Sequence, residues 1–109
     1  MPQFINIVGT RCHPDDEAKF NKWYDEVHIP LLLKFKGLKK VTRYKAAAEA
    51  KEYPKYLTIY EFNSKADYEA YQKSQELAAA RVEMAETWKA RPFEMVWRVQ
   101  FESLKAWKK

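Results

Sequence analysis

The chain has 109 residues, a formal charge of +5, 47% apolar residues and one cysteine. A chain of this length buries about 65% of its unfolded surface on folding, so one domain spanning residues 1–109 needs neither disulfide nor structural metal. Lone Cys12 excludes an internal disulfide and points to a reducing compartment; with no secretory pattern in MPQFINIVGT and only IPLLL as a long apolar run, a soluble cytoplasmic protein is expected.

FINIV, bounded by Pro2 and Gly9, reads as the first strand. HPDDEAKFNKWYDEV follows as a helix. Pro14 suits its first turn, and Asp15, Asp16 and Glu17 complement the positive end of the helix dipole. Phe20, Trp23 and Val27 recur at helical spacing. Pro30 is expected to end or kink this helix near His28. PLLLKFKG then supplies a short second helical turn, with Gly37 as its stop.

LKKVTRYKA reads as a strand, and YLTIYEF as a clearer one because it is rich in β-branched and aromatic residues. Ser64 is a suitable N-cap for one long helix through Trp88. Tyr68, Tyr71, Leu77, Ala78, Val82, Met84, Ala85 and Trp88 form its apolar stripe. Arg91-Pro92 breaks the helix, and FEMVWRVQF is the last strand.

The order β-α-β-β-α-β predicts an α+β, ferredoxin-like fold: a four-stranded antiparallel sheet with two helices on one face. Neither long strand shows the clean alternation of a half-solvated sheet. In the last strand, Met95, Trp97, Val99 and Phe101 share one parity, and Val96, Arg98 and Gln100 the other. In the third, Tyr56, Thr58, Tyr60 and Phe62 oppose Leu57, Ile59 and Glu61. Large apolar groups on both faces call for a second cover. A second copy of the same sheet supplies it, giving a homodimer.

WYDEVHIP, residues 23–30, concentrates the candidate chemistry. Tyr24 and His28 lie four apart on one helical face, and Asp25 lies three before His28. The dipole at a helix C-terminus favours the charged imidazole, whereas burial favours the neutral one; in balance they leave a group able to take and give a proton near neutrality. The plainer reading makes His28 a cap for backbone carbonyls and Trp23 a core residue.

Pro14-Asp15, Phe20-Asn21, Trp23-Tyr24-Asp25, His28, Pro30, Gly37-Leu38 and Arg43-Tyr44 together resemble the EthD-like branch of the dimeric α+β barrel superfamily. The resemblance is close over the first helix and second strand and holds elsewhere in element order. It departs at Tyr24, where EthD-like sequences usually carry Trp. It implies a face-to-face dimer, with a pocket between helices and sheet in each subunit. Relatives include cofactor-free isomerases, cyclases and dehydratases acting on small lactones or polyketide-like aromatics.

With no P-loop, dinucleotide fingerprint or nucleophile elbow, any chemistry here is expected to be proton transfer; the resemblance implies that it runs without a cofactor, as an isomerase or lyase reaction. His28 is the candidate general acid or base, and Tyr24 the residue that orients it or holds an oxyanion. Asn6, Tyr60, Arg43, Arg98, Trp23 and Trp88 are candidate ligand contacts, with Tyr71 as further wall. No metal set is expected: His13 and His28 lie about 20 Å apart along a straight helix.

A pocket that binds a small hydrophobic or aromatic molecule without turnover, or a purely structural dimer, is the alternative. An RNA-binding module is the lesser rival. Tyr56, Tyr60 and Phe62 imitate its stacking platform, but KYLTIYEF lacks the family's third-strand signature, and a sheet buried in a dimer is closed to RNA.

Overall fold

The fold is described by a computed structural model covering residues 3–49 and 51–109. The first strand, β1 (Phe4–Arg11), runs past Gly9. A single 3-10 turn at Pro14–Asp16 leads into α1 (Glu17–Trp23), with the His13 imidazole accepting from the Asp15 amide at 3.1 Å. The chain continues through a π turn (Tyr24–His28) and α2 (Ile29–Leu32) to β2 (Leu38–Lys45) and β3 (Tyr56–Phe62). Helices α3 (Lys65–Gln72) and α4 (Gln75–Thr87) precede β4 (Glu94–Glu102).

The four strands pair antiparallel in the order β2-β3-β1-β4, the ferredoxin-like arrangement. Even-numbered residues of β1 and β3 lie beneath the helices: Phe4, Asn6, Val8 and Thr10 beside Tyr56, Thr58, Tyr60 and Phe62, all buried. This settles which parity faces the core.

Strand β4 departs from the expected alternation. Trp97 pairs with Gly9 but Met95 pairs with Thr10, so a bulge at Val96 shifts the register. Met95 therefore joins Arg98 on the helix side, while Trp97, Val99 and Phe101 occupy the other face. Gly9 makes the bulge compact. A Cβ there would meet the Pro54 ring at 2.5 Å and the Trp97 ring at 3.2 Å, so a side chain would force one of them away.

The long second helix expected over 66–88 is two helices. Ser74 breaks it: its hydroxyl donates to the Tyr71 carbonyl at 2.7 Å and accepts from the Leu77 amide at 3.1 Å, ending one helix and capping the next. The break resets the phase of the apolar stripe. Tyr71, Leu77, Ala80 and Trp88 are buried, but Val82 is 68% exposed.

Gly37 is not a left-handed helix stop, since no residue among those described has positive φ. It serves instead to let Phe35 and Asp67 approach, at 2.6 and 3.2 Å from where a Cβ would stand.

Two apolar clusters fill the space between helices and sheet. Phe4, Val8, Leu32, Leu38, Phe62, Tyr71, Leu77 and Ala80 form one with Tyr60. Phe20, Trp23, Tyr24, Tyr56 and Trp88 form the other. Phe20 sits at the centre of the second, fully buried and within 6.4 Å, ring to ring, of Trp23, Tyr24, Tyr56, Trp88 and Phe93. Val27, expected beside it, points outward. No described helix is long and apolar enough to cross a membrane.

Candidate functional site

Pro30 does not end the first helix. The Ile29 amide donates to the Tyr24 carbonyl, an i to i−5 bond, and the Leu33 amide donates to Ile29 beyond the proline. The wider turn accommodates the residue that has no N–H to give and whose ring would crowd a regular helix. His28 is the last residue of this π turn, and π turns inside helices recur at functional sites.

The wider turn also sets the aromatic contacts of His28. Its ring stacks on Trp23, five residues earlier, at 4.7 Å and 22°, and meets Tyr24 edge-on at 5.1 Å. Asp25 takes no part. Its carboxylate is held by Arg43 at 2.7 Å.

His28 is 8% exposed, and its Nδ1 is sealed from solvent with no hydrogen-bond partner. Burial outweighs the balance expected for a helix terminus. It pushes the imidazole down to about 4, against a weaker upward pull from Glu83. The helix also runs on past His28, so the terminal dipole expected to favour its charge is displaced to Leu33. His28 is therefore neutral at pH 7.

A cavity of about 60 Å³ lies beside it. Its lining includes Asn6, Tyr24, His28, Tyr60 and Arg98 of the residues singled out from sequence. The Tyr24 and Tyr60 hydroxyls lie 3.1 Å apart. Tyr60 is raised well above the usual phenol range, first by burial and then by Tyr24, so it stays protonated. The Asn6 carbonyl oxygen accepts from Gln100 at 2.9 Å, which fixes the amide on the cavity floor.

Three expected contacts stand outside this lining. Trp23 supports His28 from the side, with its indole N–H donating to Glu83 at 2.8 Å. Trp88 packs edge-on against Phe20 and Trp23 as core. Arg43 lies under α1, spans Asp25 and Asn21, and covers the outer face of the Tyr24 ring at 4.5 Å. Its charge is spent on that clamp, which sequence position alone does not reveal. Tyr71, expected as wall, does line the cavity.

Arg81, Met84, Phe93 and Met95 complete much of the lining. Arg81 had a readable signal. At helical spacing it falls in line with Leu77, Met84 and Trp88, an arginine within an apolar stripe. Met95 had none, because only the bulge brings it to this face.

A larger depression of about 670 Å³ lies at the β2–β3 connection, around Ala46–Ala48, Lys51 and Lys55. It is wide open, and none of its lining residues carries a buried polar atom lacking a partner. Lys55 there is already bound to Glu17 at 2.6 Å. The small cavity, with its unsatisfied buried histidine, is the stronger candidate. Cys12 is unremarkable: burial, then Glu17 and Asp16, push its thiol up and away from the reactive thiolate.

Residues 3–98 match the family model described as a domain of unknown function, DUF4286. The chain belongs to that family. No curated protein matches it. Among solved structures, an ethyl tert-butyl ether d (EthD) family protein from Bacillus halodurans superposes with a TM-score of 0.67 at 14% identity, covering 95% of this chain and 100% of that one. HapK from Hahella chejuensis gives 0.67 at 14% identity, over 100% and 98% of the two chains. A DABB family protein with a ferredoxin-like fold from Mesorhizobium loti gives 0.65 at 11%, over 97% and 99%. These likenesses show a shared fold and meet, at that level, the EthD-like resemblance read from the first helix.

Proposed function

We propose that this DUF4286 protein binds a small apolar or aromatic molecule in the cavity beside His28 and moves a proton on it without a cofactor. The observation that carries this reading is His28 itself: a neutral imidazole in a π turn, nine-tenths buried, lining a cavity that also meets two joined phenols.

In this reading Nδ1, which is sealed, keeps the proton of the neutral imidazole, and a ligand meets His28 through Nε2. In an enolisable ring, Nε2 takes a proton from carbon, and the enolate oxygen receives a hydrogen bond from the Tyr24–Tyr60 pair. The imidazolium then returns the proton to another carbon, which is an isomerisation with no redox change. A base this weak is poorly matched to such a step at pH 7 until a bound group lifts it. That low basicity favours the second reading, binding without turnover.

The test is solvent deuterium exchange into small ring ketones and lactones, followed by NMR. Exchange accelerated by the protein and lost in His28→Gln supports proton transfer. Binding that persists in both proteins with no exchange leaves the binding reading alone.

The homodimer belongs to the same proposal. Trp97, Val99, Phe101 and Tyr44 are exposed on the open face of the sheet, next to half-buried Ile5, Ile7, Leu57 and Ile59. A contiguous apolar face of this kind is rare on a monomer, and a twofold partner covers it with itself.

A further inference from the structure

We propose that the ligand of this cavity is an anion, a small apolar or aromatic molecule bearing a carboxylate, held by Arg81 of α4 and Arg98 of β4. The inference rests on the reading of the cavity as a ligand site and adds the charge of what enters it.

Arg81 and Arg98 come from different layers, one from the helices and one from the sheet, and both line the same cavity. Among the described residues, no carboxylate lines it. Among the described residues, neither Arg81 nor Arg98 makes an ion pair, whereas Arg43 and Arg91 are each bound to an aspartate. The nearest acid in sequence to Arg81 on the inner side of α4, Glu83, is already occupied by the Trp23 indole and the Thr87 hydroxyl.

Both arginines act on one place. Each favours the phenolate of Tyr71 in the cavity wall, although burial outweighs them and raises that group. Two arginines without an ion pair among the described residues therefore line, from its exposed side, a cavity that also meets the neutral, nine-tenths-buried His28. Guanidinium groups recognise carboxylates through paired N–H donors, and a formal charge of +5 draws anions toward the protein from a distance.

The dimensions limit the ligand. A cavity of about 60 Å³ encloses only a few atoms. The enclosed part is one end of a small molecule; its remainder crosses the rim, where Met84 and Met95 are the adaptable walls. An anion placed there also raises the pKa of His28, so the imidazole gains basicity only when the site is filled.

Benzoate and benzamide, the same ring with and without charge, test the proposal. Their dissociation constants are measured by NMR on the wild-type protein and on the Arg81→Gln/Arg98→Gln double variant, with the His28 ring protons as reporter. Both arginines are exposed, so the variant is expected to fold, and a thermal melt checks that it does. Benzoate is expected to bind at least about ten-fold more tightly than benzamide. That advantage disappears in the double variant, while benzamide binding is unchanged. Equal binding of the two probes, or an advantage that survives the double substitution, overturns the anion proposal and leaves the cavity reading intact. Failure of both probes to perturb His28 overturns both.

Discussion

The hydroxyls of Tyr24 and Tyr60 meet at 3.1 Å, joining the π turn of the first helical segment to the centre of β3. One hydroxyl donates to the other, which leaves one O–H for a third group. Replacing either tyrosine by phenylalanine strands its partner in a buried site. Each single change is expected to cost about 1–2 kcal/mol, and the double change less than their sum. Urea unfolding of the four proteins of the cycle gives the coupling; strict additivity would show that the contact contributes nothing.

The buried His28 makes stability depend on pH in a defined direction. Its folded pKa, about 4, lies below the ordinary imidazole value of 6.5, so the unfolded chain binds the proton first. The stabilisation is therefore complete above pH 6.5 and is lost as pH falls toward 4, by about 3 kcal/mol at most. Denaturation curves between pH 4 and 7 should flatten in His28→Gln relative to wild type. Asp16 and Glu17 are both held low, by hydrogen bonds from Arg91 and Lys55 respectively, and their contributions fall away at still lower pH.

Arg43 separates architecture from chemistry. Its guanidinium ties β2 to Asn21 and Asp25 on the first helical segment and lies over Tyr24. Arg43→Met is expected to lower stability by about 1–2 kcal/mol, because the half-buried clamp and its packing are both lost. Benzoate affinity should stay within about two-fold of wild type. A large loss of affinity at unchanged fold would return Arg43 to the ligand contacts.

The open sheet face predicts assembly. Trp97→Lys places a charge on the apolar surface beside Gly9 and Pro54. Sedimentation velocity should show a dimer for wild type and a monomer for this variant. A monomeric wild type at tens of micromolar would remove the dimer from the account.

The strands were legible because their apolar and β-branched runs are bounded by turn residues; β3 falls on Tyr56–Phe62, the segment read from sequence. Three features were hidden, each for a local reason. A π turn has the same residue types as an α turn, so Pro30 reads as ending or kinking the helix, and the wider turn that carries the chain past it is not visible in advance. Ser74 is a common helix residue until its hydroxyl is seen to bond at both ends of a break. The β4 bulge reverses the facing of Met95 without any sequence mark of its own. The site was legible in part for the same reasons. Periodicity brought His28 and Tyr24 together, but the clamp role of Arg43 depends on tertiary partners that no spacing encodes.

The most direct test of the cavity is an NMR screen of small aromatic acids and their neutral analogues, read at His28 and Tyr60. Binders are expected to shift both residues, compete with one another and lose affinity when Met84→Trp fills the space. Binders that leave His28 and Tyr60 unmoved and shift Lys51 and Lys55 at the β2–β3 connection would contradict it.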